Sequence, residues 1–282
     1  MSGAIVVVYR AGMTVSRPVG SPIPVASVPN LRDAGGYRTA DGSVVRSGRV
    51  YRSTDLGAVA DADRQALDAL GVATVFDLRT LAEREIRPDR LPAGATEVAL
   101  DVLADRDPSA APAMLQKLLV DPVLAEQMLG GSEASEHLLS SYREFVALPS
   151  AVTAYRALYA DLAHREDTPV LIHCTTGKDR TGWAVAALLL LLGVAEEHVF
   201  EEYLLTNEQL LPALTPVFDT FREAGGNPDI LLPLLGVRRE YLEAAVDEMQ
   251  TRFGDIEGYF VRGLGLGTGD IDAIRGRLLT RD

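Results

Sequence analysis

Short apolar runs rich in branched residues alternate with stretches of helical spacing in the N-terminal part of the chain, and helical spacing dominates beyond it. Val50-Tyr51-Arg52-Ser53, Val72 to Leu78, Glu97 to Val102 and Pro169-Val170-Leu171-Ile172 read as strands. Between them, Asp61 to Leu70 has the spacing of a helix with Asp61 as N-cap and Gly71 as stop, and Arg79 to Arg87 reads as a short charged helix ended by Pro88. This alternation predicts an α/β fold, with a central, largely parallel sheet flanked by helices. Met114, Leu115, Leu118 and Leu119 then recur at helical intervals, as do Leu138, Leu139, Tyr142, Phe145 and Val146. Ala151 to Ala163, Glu196 to Asn207, Arg239 to Phe253 and Asp270 to Leu279 follow the same rule, giving a helical C-terminal half. Trp183 to Leu192 is apolar on every side and stops at Gly193, the pattern of a helix buried all round.

Three stretches break the pattern. Residues 1–26 read as an N-terminal arm, with Ile5-Val6-Val7-Val8 as a possible edge strand and prolines at 18, 22 and 24 interrupting any helix. Residues 105–135, with Gly130-Gly131-Ser132, read as an insertion. The leucine-rich part of 203–236 is broken by Pro212, Pro216, Gly225-Gly226, Pro228 and Pro233. Neither a repeat nor a low-complexity linker divides the chain, so residues 1–282 are expected to form one domain.

Composition narrows the classes. A net charge of -13 over 282 residues argues against a nucleic-acid partner and against electrostatic membrane binding. Trp183 to Leu192 is about half of what a bilayer span needs, so stable membrane insertion is not expected. The N-terminus has no basic leader before its apolar patch, which predicts a cytoplasmic location and leaves open export without a signal peptide. The oligomeric state is not legible. One cysteine excludes an intramolecular disulfide framework, and one cysteine with four scattered histidines argues against a zinc site, so no metal or cofactor is expected.

That cysteine lies in His173-Cys174-Thr175-Thr176-Gly177-Lys178-Asp179-Arg180-Thr181-Gly182, between a strand end and a helix start. A helix N-terminus offers free N–H groups and partial positive charge to an anion, and such a setting with nearby cations lowers a thiol pKa. Lys178 and Arg180 are those cations. The residues from Thr175 to Asp179 can curl around a tetrahedral anion with N–H groups inward, Gly177 giving the curl latitude and Arg180 forking two phosphate oxygens. These parts suit attack of sulfur on phosphorus. A Walker A reading fails because Asp179 follows Lys178 and position 172 is Ile. A Cys–His protease reading fails because His173, next to Cys174 on a strand, points to the opposite face. A rhodanese-like sulfur transferase leaves Arg180 unexplained, and a phosphate-binding module without turnover would not need both Cys174 and Arg180.

Cys-x5-Arg with His before and Thr after is the signature of the cysteine-based protein tyrosine phosphatases, and the full loop resembles the bacterial PtpB type, also called atypical lipid phosphatases. Asn30-Leu31-Arg32-Asp33, Tyr51-Arg52-Ser53, Asp77-Leu78-Arg79, Tyr203 to Asn207, Gly236 to Leu242, Gly258-Tyr259-Phe260 and Gly263 to Leu266 are similar to that family's recurring segments. The resemblance implies a cysteine phosphatase fold, with a helical lid matching 203–236 in position; ordinary core helices are the alternative there. It implies hydrolysis of phosphotyrosine through a phosphocysteine, with activity on phosphoserine/threonine or phosphoinositide as an extension and a phosphoinositide-preferring lipid phosphatase as the alternative. Cys174 is then the nucleophile, Arg180 the clamp, Thr181 the hydroxyl that stabilises the leaving thiolate and His173 a support for the loop, while Thr175, Thr176, Gly177 and Lys178 line the phosphate. The Trp-Pro-Asp acid loop of conventional members is missing, since the only Trp is Trp183. Asp179 is the favoured acid and Asp77 its rival, with pairing to an arginine the simpler role for Asp77. Lys178 either meets the extra phosphates of an inositol ring or stays a solvated charge.

Overall fold

The computed structural model describes residues 18–106, 117–130 and 132–280, apart from the side chains of 132–135. The Ile5–Val8 strand, most of the N-terminal arm and the helix turn at Met114-Leu115 lie outside the described residues.

Five strands form the main sheet in the order β1 (Arg32–Asp33), β3 (Val50–Ser53), β6 (Val170–His173), β4 (Thr74–Asp77) and β5 (Thr96–Ala99). All neighbours are parallel except β1, which runs antiparallel to β3. The central strands β3, β6 and β4 are buried throughout. Alternation sorts their side chains. Tyr51, Leu171 and Val75 face a smaller apolar cluster with Ile23, Val28, Leu56 and Leu67, while Val50, Val170, Ile172 and Phe76 face the larger one. Register places Ser53, His173 and Asp77 level with one another, so three parallel strands end together. Their carboxyl edge is where an open α/β sheet binds ligands.

The sheet is sandwiched by helices. On the smaller side, α1 (Arg64–Asp68) follows a 3-10 turn at Asp61–Asp63, and Asp61 makes no capping bond, contrary to the sequence expectation. Its carboxylate is instead drawn to Arg90 at 2.5 Å. Helix α2 (Leu81–Ile86) opens on a capping box between Thr80 and Glu83. After α3 (Pro122–Leu129) come α4 (Ser132–Ala147) and α5 (Pro149–His164), then α6 (Arg180–Leu191), whose apolar surface is buried on all sides. Trp183 of α6 donates its indole N–H to the Tyr259 hydroxyl at 3.2 Å. Then follow α7 (Glu196–Leu210), α8 (Thr215–Glu223), α9 (Leu232–Leu235), α10 (Arg239–Phe253) and α11 (Thr268–Leu278). The chain does not continue as helix at Leu279, because Leu279–Thr280 (β7) pairs antiparallel with β2 (Val44–Val45) in a separate ribbon.

The stretch 203–236 divides. Tyr203, Thr206 and Leu210 belong to the buried face of α7. Beyond them, Leu211, Leu214, Val217, Phe218, Phe221, Leu231 and Leu235 form a third apolar cluster with Leu118, Leu124, Ala125 and Leu129 of the 105–135 stretch. Among the described residues no helix is long and apolar enough to cross a membrane.

Candidate active site

The loop between β6 and α6 is shaped from outside. Asp55 N–H donates to the Thr175 carbonyl at 3.1 Å, Asn30 Nδ2 to the Thr176 and Gly177 carbonyls at 3.3 and 3.1 Å, and Arg52 Nη2 to the Gly177 carbonyl at 2.6 Å. In a trans peptide the C=O and the following N–H point opposite ways. Holding these carbonyls outward therefore turns the N–H groups of Thr176, Gly177 and Lys178 away from the scaffold, toward an anion on the concave side. Gly177 is at φ +66°, and a Cβ there would lie 2.0 Å from the Ser53 carbonyl oxygen. Only glycine fits.

Behind the loop stands a sealed charge cluster. Glu202 on α7 accepts from Arg52 Nη1 at 2.6 Å and from Arg32 Nε at 2.7 Å, and Arg32 Nη2 also reaches the Glu202 carbonyl and Thr206 Oγ1 at 2.9 and 3.2 Å. Arg32 Nη1 completes the set at Asn30 Oδ1. Burial favours the neutral form of Glu202, but the charges and hydrogen bonds of Arg32 and Arg52 outweigh it and hold the carboxyl below its ordinary range. Burial, with Arg52 beside it, brings Arg32 down to about 10. The segments around Asn30, Arg32 and Arg52, met in the sequence only as a resemblance, thus shape the loop. Glu202 escaped sequence reading. Its one signal is position, since it shares the buried face of α7 with Val199, Tyr203, Thr206 and Leu210.

Cys174 is a buried free thiol at the end of β6. Arg180, the first residue of α6, does not point to open space. Its Nη1 and Nη2 fork onto Glu83 Oε2 and Oε1 at 2.7 and 2.8 Å, and they also reach the Leu78 carbonyl and Thr175 Oγ1, each at 3.3 Å. Thr175 Oγ1 in turn donates to Glu83. A carboxylate therefore fills the bidentate geometry that Arg180 would give a phosphate. Burial works against charge at Glu83, yet Arg180 keeps its carboxyl far below the usual range, and Glu83 likewise holds Arg180 charged against its own burial. The sequence places Glu83 only within the short charged helix from Arg79 to Arg87.

His173 and Asp77 lie beneath the loop, fully buried. His173 Nδ1 is 3.1 Å from the Cys174 carbonyl, and its Nε2 is 2.9 Å from Asp89 Oδ2. Burial would lower its pKa, but the bond to Asp89 and the charges of Asp89 and Asp77 raise it overall. Asp77 is gripped by Arg79, whose Nε and Nη2 lie 2.9 and 2.7 Å from its two oxygens. The simpler sequence reading of Asp77, an arginine pair, is the arrangement found. Asp77, Asp89 and His173 bring ligand atoms within 4.8 Å of one another, as a metal site would. Arg79 Nη2 is also 2.9 Å from Asp89, so a cation already balances both carboxylates there.

Asp179, the residue before α6, is partly exposed, and its Oδ1 accepts from Lys178 Nζ at 2.8 Å and from Tyr142 Oη at 2.7 Å. Of the two readings of Lys178, the solvated charge does not fit: its side chain is 6% exposed and folded onto Asp179. Thr181 Oγ1 is buried in the first turn of α6 without a hydrogen-bond partner among the described residues. The structure thus gathers Cys174, Thr175, Gly177, Lys178, Asp179, Arg180 and Thr181 into one loop and helix start, and sets Asp77 apart in an ion pair.

The model of the tyrosine phosphatase family matches residues 23–280. The chain is 30% identical to the triple specificity protein phosphatase PtpB of Mycobacterium tuberculosis, over 89% of this chain and 96% of that protein. It is 28% identical to a predicted tyrosine-protein phosphatase of Cupriavidus necator, over 90% of this chain and 86% of that one. A tyrosine-protein phosphatase of Nostoc commune is 31% identical over 56% of this chain and 48% of its own length. A chain with a buried thiol, an arginine one loop away and outward-held carbonyls between them is thus matched almost end to end, and it belongs to the tyrosine phosphatase family and, within it, to the bacterial PtpB type.

Proposed function

We propose that this protein-tyrosine phosphatase hydrolyses phosphotyrosine in two steps, both performed by the loop from Cys174 to Thr181. The carrying observation is the loop whose Thr175, Thr176 and Gly177 carbonyls are all held outward beside a buried thiol and Arg180. In the first step the Cys174 thiolate attacks phosphorus. The S–P bond forms as the P–O bond to tyrosine breaks, and the proton of Asp179 goes to the leaving phenolate oxygen. In the second, water attacks the phosphocysteine and gives a proton to the Asp179 carboxylate. The S–P bond breaks, its electron pair returns to sulfur as thiolate, and inorganic phosphate leaves. The Thr181 hydroxyl, buried in the first turn of α6 and unpartnered among the described residues, supports that thiolate. For substrate to enter, Arg180 exchanges the oxygens of Glu83 for those of phosphate. His173 holds the Cys174 carbonyl and transfers no proton.

The name of the mycobacterial relative, a triple specificity protein phosphatase, supports activity beyond phosphotyrosine, and the resemblance to the PtpB type suggests phosphoserine, phosphothreonine or phosphoinositide for it. The placement of Lys178 favours phosphotyrosine, because its ammonium is committed to Asp179 rather than to further ring phosphates. The test is hydrolysis of an aryl phosphate by wild type, Cys174→Ser and Asp179→Ala, followed by rates on phosphotyrosine peptides and phosphoinositides. Cys174→Ser should bind phosphate without turnover, and Asp179→Ala should lose the basic limb of the pH–rate profile. Turnover surviving in Cys174→Ser would sink the covalent route, and faster phosphoinositide hydrolysis would reverse the substrate preference.

A further inference from the structure

The proposed acid is held by more than its own loop. Tyr142, on α4, donates its hydroxyl to Asp179 Oδ1 at 2.7 Å, and Lys178 Nζ donates to the same oxygen at 2.8 Å. The Tyr142 hydroxyl is also 2.5 Å from that of Tyr203, on α7. A phenol has one proton to donate and a carboxylate only accepts. The Tyr142 proton is therefore committed to Asp179, and Tyr203 must supply the one between the phenols. The chain of donors runs from Tyr203 through Tyr142 to Asp179. Burial, and then the charge of Asp179, push both phenols well above their ordinary ionisation, so they remain donors wherever the enzyme works. The other groups with charge in reach are Arg180 beside Asp179 and Arg52 and Tyr241 beside Tyr203.

Two donors thus converge on Oδ1, while Oδ2 accepts no hydrogen bond from the described residues. Of the two oxygens of a carboxylic acid, the one already saturated with donors is the poorer place for a proton. We infer that Tyr142, backed by Tyr203, is the positioning residue of the general acid: with Lys178 it fills Oδ1 and leaves Oδ2 to carry the proton delivered to the leaving oxygen. The inference rests on the reading of Asp179 as the acid. It also ties the acid to the helices outside the sheet, since α4, which carries Tyr142, packs against α3 and α9 of the third cluster.

The test compares full-length wild type, Tyr142→Phe, Tyr203→Phe and Asp179→Asn on aryl phosphates whose phenols span a range of acidity, across pH. Tyr142→Phe should lower kcat about 10-fold on phenyl phosphate, the worth of one hydrogen bond to a charged group, and little on dinitrophenyl phosphate, whose leaving group needs no proton. The basic limb should move to higher pH, because a donor that stabilises the carboxylate is gone. The competitive Ki of inorganic phosphate should stay put, since Arg180 and the loop carbonyls are untouched. Tyr203→Phe should act in the same direction and less. The inference is overturned if Asp179→Asn abolishes the basic limb and the leaving-group dependence while Tyr142→Phe leaves both as in wild type. A uniform loss on every substrate, with a lowered thermal midpoint and an unmoved basic limb, would reduce Tyr142 to packing and overturn it equally. Retention of the limb in Asp179→Asn would remove the acid reading, and this inference with it.

Discussion

The two sides of the phosphate loop handle charge in opposite ways. Behind it, Arg32, Arg52 and Glu202 are at most 1% exposed and bond to one another, to Asn30 and to the loop backbone. In front, Arg180 with Glu83 and Lys178 with Asp179 are closer to solvent, and each pair holds a residue of the proposed reaction. The rear charges are spent for good on the shape of the loop. In the proposed reaction the Arg180 fork in front is exchangeable, because an incoming phosphate dianion would compete directly with Glu83 for it. Ion pairs of similar length therefore have different meanings, and burial and the job of the partner separate them.

The largest expected effect lies behind the loop. Glu202→Gln keeps the size of the side chain but leaves two buried guanidiniums facing no charge. Breaking a buried pair in this way costs about 3–5 kcal/mol. Unfolding in denaturant should show that loss, and turnover should fall with it as Arg52 releases the Gly177 carbonyl. A variant that kept its stability within about 1 kcal/mol and its full turnover would break the distinction between the two sides.

In front, Glu83→Gln should do something different. Glutamine still serves the capping box with Thr80 and the pair is nearer to solvent, so stability should fall by less than in Glu202→Gln. Removing an anion from the phosphate site should tighten inorganic phosphate binding about 5-fold, the equivalent of about 1 kcal/mol of relieved repulsion. The competitive Ki of phosphate is the measurement. Weaker binding instead would mean that Glu83 aims Arg180 as rigidly as Glu202 holds Arg52, and the two sides would be alike.

The same division decides what could be read from the sequence. The strands β3, β4 and β6 and the helix α6 are buried on both sides, so their apolar runs are local and legible. The proposed nucleophile, clamp and acid are legible because Cys174, Arg180 and Asp179 fall within one loop. The scaffold is not, since Asn30, Arg52 and Glu202 meet only through the fold, and no periodicity marks such a meeting. Strands β1, β2 and β7 are two residues long and leave no pattern to find. The sequence leaves Lys178 between a contact for ring phosphates and a solvated charge, and neither anticipates a side chain folded onto its neighbour Asp179.

His173 offers the finest probe, because it sits under the loop yet can change its charge. Both ring nitrogens face acceptors, the Cys174 carbonyl and Asp89, which suits the doubly protonated ring. Burial opposes that charge, but Asp89 and Asp77 prevail and the folded-state pKa is raised above the ordinary 6.5. A raised pKa contributes stability that is fully present below the unfolded value and fades as pH rises through the folded one. Thermal midpoints of wild type and His173→Asn should therefore differ most near pH 6 and converge as pH climbs, the smallest of the effects expected here. A gap that stayed constant across that range would mean that His173 is bound to Asp89 as a neutral ring. The floor of the loop would then be held without charge, and only Arg32, Arg52 and Glu202 would count as its ionic scaffold.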